Sequence, residues 1–395
     1  MLVNFARFWA AAAAVVVGST LAFAQILAGP ISNQPDKGLW YVDVTTGDRV
    51  RVCNQGSTAV AVDDAGGRVF IAQGSFLFQW NYGSAVNGAT LLGTMARPNG
   101  GTLECVGLAY GGGRLFATAY AASWLYEVAL PSLVATPVPT TTSLATVEGL
   151  SFDASSGLFY AAQEVFSPAG GIAADLYSLD LLGSGAQSFI ARIPGDGDSV
   201  CVGNGVAYLM SEEGGRITSF DLATGALNPS ALIAPWPYGL FECGSEFAPS
   251  FVPPALPRIF CQSTPVQYCA PFLTTVGSPS ASGATNFTLR HQRLVANSIL
   301  RGHYSLTGRS PAPFLSGIRC LSGPLFRVPA VTVTGTNNGC TSFHHLDFNA
   351  VIASGANPAL TVGQTVWYQA LVRLPAGSSL GAMQFSAGAE FTIQP

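Results

Sequence analysis

The stretch at residues 104–130, ECVGLAYGGGRLFATAYAASWLYEVAL, is a unit that recurs along the chain, and a recurring unit of this kind restricts the fold more than any other feature. Residues 106–110 predict an inner strand, Gly111, Gly112 and Gly113 a turn, 114–119 a second strand and 124–130 a third. Related phrases follow from Ala59 (AVAVDDAGGRVFIA), Glu148 (EGLSFDASSGLFYAA) and Ser199 (SVCVGNGVAYLMS), with a looser one from Tyr238 (YGLFECGSEF, then PRIFCQ). An apolar residue followed by an aromatic marks the predicted second strand of each: Val69-Phe70, Leu115-Phe116, Leu158-Phe159, Ala207-Tyr208 and Ile259-Phe260. These pairs stand roughly 43 to 52 residues apart, the period of a four-stranded propeller blade and not of a helical solenoid.

A hairpin phrase repeats as well, as LWYVDVTTGDRV from Leu39 and RITSFDLATGAL from Arg216. Asp43 and Asp221 each precede a glycine by four residues, where the carboxylate can bond the turn backbone while the glycine takes a positive φ. The first copy lacks its inner strands, and the segment 238–262 supplies inner strands without outer ones. The expectation is therefore a five-bladed ring with a shared closing blade, in which 39–44 pairs with 258–262; six blades follow if the insertions at 166–173 or 81–90 hide strands.

Past the proline-rich stretch 249–257 the period disappears, and new strands are predicted at 286–291, 298–306, 327–334 and 365–374 with no amphipathic helix between them. That spacing fits a small antiparallel β-sandwich after the propeller, with the boundary at 267/268. In TVWYQALVRL, Val366, Tyr368, Ala370 and Val372 predict one face and Trp367, Gln369, Leu371 and Arg373 the other.

The run from Tyr268 to the end resembles a C-terminal domain of secreted proteins from planctomycetes and related bacteria. Four phrases carry the resemblance: Tyr268-Cys269, LDFNA at 346–350, GQTVWYQALVR at 363–373 and AEFTI at 389–393. It implies an exported β domain and brings no catalytic residue with it. The propeller portion resembles NHL-like and YVTN-like repeat proteins in its blade phrasing.

Residues 1–24 have Arg7, an apolar run at 8–17 and the small-residue pattern Ala22-Phe23-Ala24 before Gln25, the pattern of a secretory leader. The run is shorter than the ~20 residues a membrane span needs, so a mature chain 25–395 without a span is expected, in the periplasm, at the cell surface or outside the cell. Export makes disulfides the expected state of the eight cysteines. Cys320 and Cys340 are the expected pair, while Cys261 has both Cys269 and Cys243 as neighbours in sequence. A net charge of −4 and a single lysine, Lys37, exclude nucleic acid as a partner.

For chemistry, the ring offers little. All four histidines, His291, His303, His344 and His345, stand beyond the propeller, which argues against histidine-based catalysis on it. Glu104, Glu148 and Glu242 sit near the starts of predicted inner strands and would share a cation or a proton if they converge on one channel mouth; alternation makes this sensitive to one residue of slip. Asp196 and Asp198 in PGDGDS have alternating oxygen ligands of the kind calcium takes, though the bland reading is a solvated turn. His345 and Asp347 would share one face of a strand, and His344 the other. Trp236 and Tyr238 in APWPYG are candidates for a binding surface, against the default of packing between blades. The expected function is thus an exported, non-catalytic binding or scaffold protein whose propeller recognises a protein or glycan. The alternative is a propeller hydrolase or lyase using a channel-bound calcium and carboxylates.

Overall fold

The computed structural model describes residues 25–31, 37–120, 122, 124–140, 144, 146–167, 171–194, 197–211, 216–233, 241–253, 257–261, 271–283, 286–314, 317–335, 340–378 and 383–395. The chain begins there with β1 (Gln25–Ile31), β2 (Leu39–Asp43) and β3 (Arg49–Cys53), which form successive antiparallel pairs. Four complete four-stranded meanders follow. The first comprises β4 (Ala59–Asp63), β5 (Arg68–Gln73), β6 (Phe76–Asn81) and β7 (Thr90–Thr94). The second comprises β8 (Cys105–Gly111), β9 (Arg114–Ala119), β10 (Leu125–Ala129) and β11 (Val134–Val138). The third comprises β12 (Val147–Asp153), β13 (Leu158–Ser167), β14 (Gly171–Leu179) and β15 (Gln187–Pro194). The fourth comprises β16 (Ser199–Gly203), β17 (Val206–Ser211), β18 (Arg216–Asp221) and β19 (Leu227–Ile233). Next, β20 (Phe241–Phe247) pairs with β1, so the last inner strand and the first three strands complete a fifth blade.

The inner strands β4, β8, β12, β16 and β20 touch in that order and β20 touches β4, which closes a ring of five. Between blades lie separate apolar layers. Phe116 and Phe159, both fully buried with ring centroids 4.8 Å apart, join the second blade to the third. Burying a ring of this size contributes about 2–3 kcal/mol, so each layer is a main source of the cohesion between its two blades. Five inner strands fit round one axis only if they approach closely. A Cβ at Gly149 would stand 2.5 Å from the Val200 nitrogen, and one at Gly244 would stand 2.4 Å from the Ala59 backbone.

The expected pairing of 39–44 with 258–262 is overturned. β2 lies between β1 and β3, and β1 occupies the place next to β20. QILAGPI, with a glycine and a proline and no aromatic, lacks the phrasing of the other second strands, whereas Ile259-Phe260 has that phrasing but not the place, which β1 fills. The Ile259-Phe260 pair belongs to β21 (Arg258–Phe260), which adds to the outer edge of the closing blade through Ile259 and Arg49. Of the insertion at 166–173, Phe166 and Ser167 pair with Ile172 and Gly171 and extend the β13–β14 hairpin, while 168–170 lie outside the described residues. Asp43 and Asp221 act as read: Thr45 N donates to Asp43 Oδ1 and Thr224 N to Asp221 Oδ1, each at 2.8 Å, with Gly47 and Gly225 at φ 73° and 67°.

The remaining strands are β22 (Phe272–Gly277), β23 (Phe287–Leu294), β24 (Ile299–Ser305), β25 (Arg309–Phe314), β26 (Gly317–Leu321), β27 (Phe326–Arg327), β28 (Val331–Thr332) and β29 (Ser342–Asp347). After them come the helix α1 (Phe348–Ala353), β30 (Thr365–Arg373) and β31 (Met383–Thr392). They form a sandwich. One sheet runs β21-β31-β30-β24-β27 and is continuous with the closing blade; the other is β22-β23-β29. Val366, Tyr368, Ala370 and Val372 are all fully buried between the two, as the alternation predicts. On the other face Gln369 is also buried, where its amide oxygen accepts from Cys320 N at 3.0 Å.

The expected Cys320–Cys340 bond does not form, because Cys320 is bonded to Cys261 across 59 residues with Cα atoms 6.1 Å apart. β21 pairs with β31, and β26 lies against β31 as well, which brings the two sulfurs together. Cys340 is also oxidised. Not every cysteine is oxidised: Cys53 and Cys105 are buried thiols whose ionisation burial pushes up. No helix among the described residues is long and apolar enough to cross a membrane.

Candidate functional site

The inner strands run in parallel round the axis, so their starts surround one mouth of the channel and their ends the other. Glu104 and Glu148 belong to the first mouth. Glu104 is exposed and leans over the turn at Gly74, while Glu148 is half-buried in β12. Glu242 has its backbone in β20 and its side chain outside the described residues, where Trp236, Tyr238 and Asp196 also lie. Asp198 is described and buried, at 8% exposure, before β16. Among the described residues no group of three or more His, Cys, Asp or Glu side chains is arranged to hold a metal ion. Asp347 has a structural task, since its carboxylate caps α1 by accepting from Ala350 N at 3.1 Å. His291 is fully buried between the sandwich sheets and is hydrogen-bonded through Nε2 to the Tyr368 hydroxyl at 2.9 Å.

The polar centre of the ring is at the opposite end. There a cavity of about 420 Å³ is walled by Tyr110, Phe152 and Phe247 and bordered by Asp63, Asp64, Asp153 and Glu246. These residues come from the ends of β4, β8, β12 and β20, and the glycine turn 111–113 forms part of the rim. Glu246 is the deepest of them, at 2% exposure. Its carboxyl accepts from Ser151 Oγ at 2.6 Å and from Phe247 N at 3.0 Å, and Ser151 Oγ accepts in turn from Val202 N at 2.9 Å. The side chain thus crosses the axis, linking β20 to β12 and, through Ser151, to β16.

The other carboxylates are engaged nearer the surface. Asp63 accepts from Arg68 Nε at 2.7 Å, and Asp153 accepts from Ser155 N at 3.1 Å and Ser156 N at 3.2 Å. Asp64 accepts from the Tyr82 hydroxyl at 3.0 Å and from Ser250 Oγ at 2.6 Å. Burial raises the Glu246 pKa to about 8 against the hydrogen bonds that favour its anion, and the neighbouring Asp153 charge adds to the rise. At neutral pH Glu246 therefore carries its proton, while the rim aspartates bond their own turns, an arginine and nearby hydroxyls. Sequence reading missed this cluster. The signal was the shared position of Asp63 and Asp153 at the ends of like phrases, and Glu246 could have been found by aligning GSEF with GLSF, which puts Gly244 on Gly149 and Glu246 on Ser151.

No family model matches the chain, and neither does any curated protein. Among solved structures it is similar to a chain of the nidogen/laminin complex, at 11% identity and a TM-score of 0.38, over 58% of this chain and 100% of that one. It is also similar to glutaminyl cyclase from Myxococcus xanthus, at 14% identity and a TM-score of 0.28, over 53% of this chain and 87% of that one. A third is the PQQ-bound aldose sugar dehydrogenase from Streptomyces coelicolor, at 13% identity and a TM-score of 0.29, over 51% and 78%. Likeness at such distances says nothing of ligand or chemistry, which have to come from this chain's own residues.

Proposed function

We propose that the protein is an exported, non-catalytic binding protein, with residues 1–24 removed as a leader, a propeller at 25–267 and an appended domain at 268–395. The disulfide suits an oxidising compartment. The observation that carries the reading is the state of the carboxyl groups at the end of the channel. Every one of them accepts hydrogen bonds from its own turn or from a neighbouring strand, and the one with the perturbed pKa is nearly inaccessible. Such a site holds a ligand better than it transforms one. Aromatic walls beside aspartates favour a cationic side chain, because ring faces and carboxylates both attract a desolvated ammonium or guanidinium. The partner is accordingly a protein that presents Lys or Arg to this mouth.

The test is a binding titration of the full chain against Lys- and Arg-presenting peptides. Phe152→Ser should weaken binding about tenfold or more, and Glu104→Gln, at the other mouth, should not change it. The rival reading of a propeller hydrolase or lyase has one observation in its favour, the placement of Glu246, whose pKa burial raises to about 8, beside the Asp153 carboxyl, since carboxylate enzymes pair an acid with a base in this way. Turnover of a glycan or ester substrate that disappears in Glu246→Gln would overturn the proposal and establish the rival.

A further inference from the structure

Positive charge is scarce in a chain with 17 Lys and Arg among 395 residues. Much of it is neutralised: Arg68 by Asp63, Arg114 by Glu127, Arg192 by Asp175, and Arg309 by Asp48 and Glu390. Two adjoining cavities are lined by cations and by no described carboxylate. The first, of about 580 Å³, lies where the propeller meets the sandwich, with Lys37, Arg51, Asn54 and Asn87 on one side and the turn after β22 and Arg290 on the other. The second, of about 700 Å³, is lined by Arg290, Gln292, Arg293, Phe343 and His345 among others. Arg290 is common to both, so they form one groove along β23.

Local structure explains why the cations gather here. Arg290 stands opposite His345 in the β23–β29 ladder, and the register slips between His291 and Leu294. Arg293 takes φ 55° at that slip. A bulge of this kind re-aims a side chain, and Arg293 lines the same cavity as Arg290 and Gln292. Lys37 is exposed, and neither Lys37 nor Arg290 has a carboxylate partner among the described residues. The Nε of Arg290 is buried with no acceptor among the described residues. Two further features accompany the charge. Asn54 donates its side-chain amide to Asn87 Oδ1, giving a fixed polar edge beside Lys37. Phe343, at 63% exposure, presents its ring to solvent with the His345 ring 5.2 Å away.

We propose that this groove binds an acidic polysaccharide, with the cations holding the carboxylate or sulfate groups of successive sugars. The cations are spread over two cavities, which suits a polymer with one charge per sugar or two. They are too few for the counterion-driven grip on nucleic acid, whose duplex carries a charge every ~1.7 Å. Amide pairs match sugar hydroxyls, and an exposed ring matches the apolar face of a pyranose. This site is separate from the channel mouth and stands or falls without it.

Titration of the full chain with polygalacturonate, dextran sulfate and neutral dextran tests the proposal and separates the two anions. The expected result is binding to one or both charged polymers, weakening with salt, and none to dextran. Arg290→Gln should raise the Kd at least tenfold, whereas Arg301→Gln, an exposed cation on β24, should leave it unchanged. If Arg290→Gln does not fold, Lys37→Gln should still weaken binding about threefold, because Lys37 is exposed. Equal affinity for polyglutamate or an oligonucleotide, or an unchanged Kd in Lys37→Gln and in Arg290→Gln where it folds, would overturn the proposal.

Discussion

Two fully buried titratable groups set opposite pH limits on this protein. Glu246 has its pKa raised from 4.5 to about 8, so above pH 4.5 the unfolded chain releases a proton that the folded chain keeps. Stability contributed by Glu246 is complete below pH 4.5 and is lost as pH rises towards 8, at about 1.4 kcal/mol per unit while the difference persists. Glu246→Gln removes the titration, and urea unfolding should show a stability in the variant that is nearly flat between pH 6.5 and 8, above the range in which His291 titrates, while the parent loses about 2 kcal/mol. A parent with no slope there would mean that Glu246 is ionised in the fold. His291 works in the other direction, because burial lowers its pKa from 6.5 to about 3. Its contribution is complete above pH 6.5 and falls away as acid approaches pH 3, since the unfolded imidazole takes a proton that the folded one refuses. His291→Phe should flatten that acid limb, at a cost of about 1 kcal/mol at pH 7 for the unpaired Tyr368 hydroxyl.

At the scale of elements, the ring depends on inner strands that touch through their backbones. Gly149→Val would drive a side chain into the backbone of Ser199 and Val200, which belongs to the next blade and cannot rotate away. We expect a loss of about 3 kcal/mol or more, measurable as a fall in Tm, and a similar loss for Gly244→Ala against Ala59. A change of under 1 kcal/mol in both would mean that the ring is wider than five blades allow. This is also where reading the sequence succeeded and then stopped. The phrases beginning at Ala59, Glu148 and Ser199 each announce an inner strand, a turn and an aromatic-bearing strand, because alternation and turn glycines are local properties. QILAGPI announces nothing, since a strand held between β20 and β2 by burial on both faces needs no alternation and takes its conformation from its neighbours. Ile259-Phe260 carried the right pattern in the wrong place for the same reason: its partners, Arg49 and the 388–390 stretch of β31, lie far away in the chain. The channel cluster needed the register between non-adjacent strands, and the cationic groove needed the slip at Arg293, so neither could be seen from spacing.

Across the whole molecule, the propeller and the sandwich share one sheet, and the joint is reinforced twice. Cys261 follows β21 and is tied to Cys320 in β26. A closed loop of 59 residues contributes about 4 kcal/mol by the chain-entropy estimate. The second tie is ionic. Arg309 donates from Nη1 to Asp48 Oδ2 at 2.6 Å and from Nε to Glu390 Oε2 at 2.8 Å, and its guanidinium lies 4.3 Å from the centre of the Phe260 ring. Asp48 comes from the closing blade and Glu390 from β31, so one side chain clasps both parts. Burial pushes the Asp48 pKa up, and Arg309 and Arg258 oppose the rise. Arg309→Ala should therefore cost about 3 kcal/mol by leaving Asp48 with only the longer 3.6 Å contact to Arg258. The loss falls on the joint and leaves the inter-blade layers untouched. Calorimetry of the variant should resolve two transitions where the parent has one, and reduction of the disulfide in the variant should separate them further. A single transition that shifts without splitting would show that the shared sheet alone couples the two parts, with β21 and its backbone bonds sufficient to carry the load.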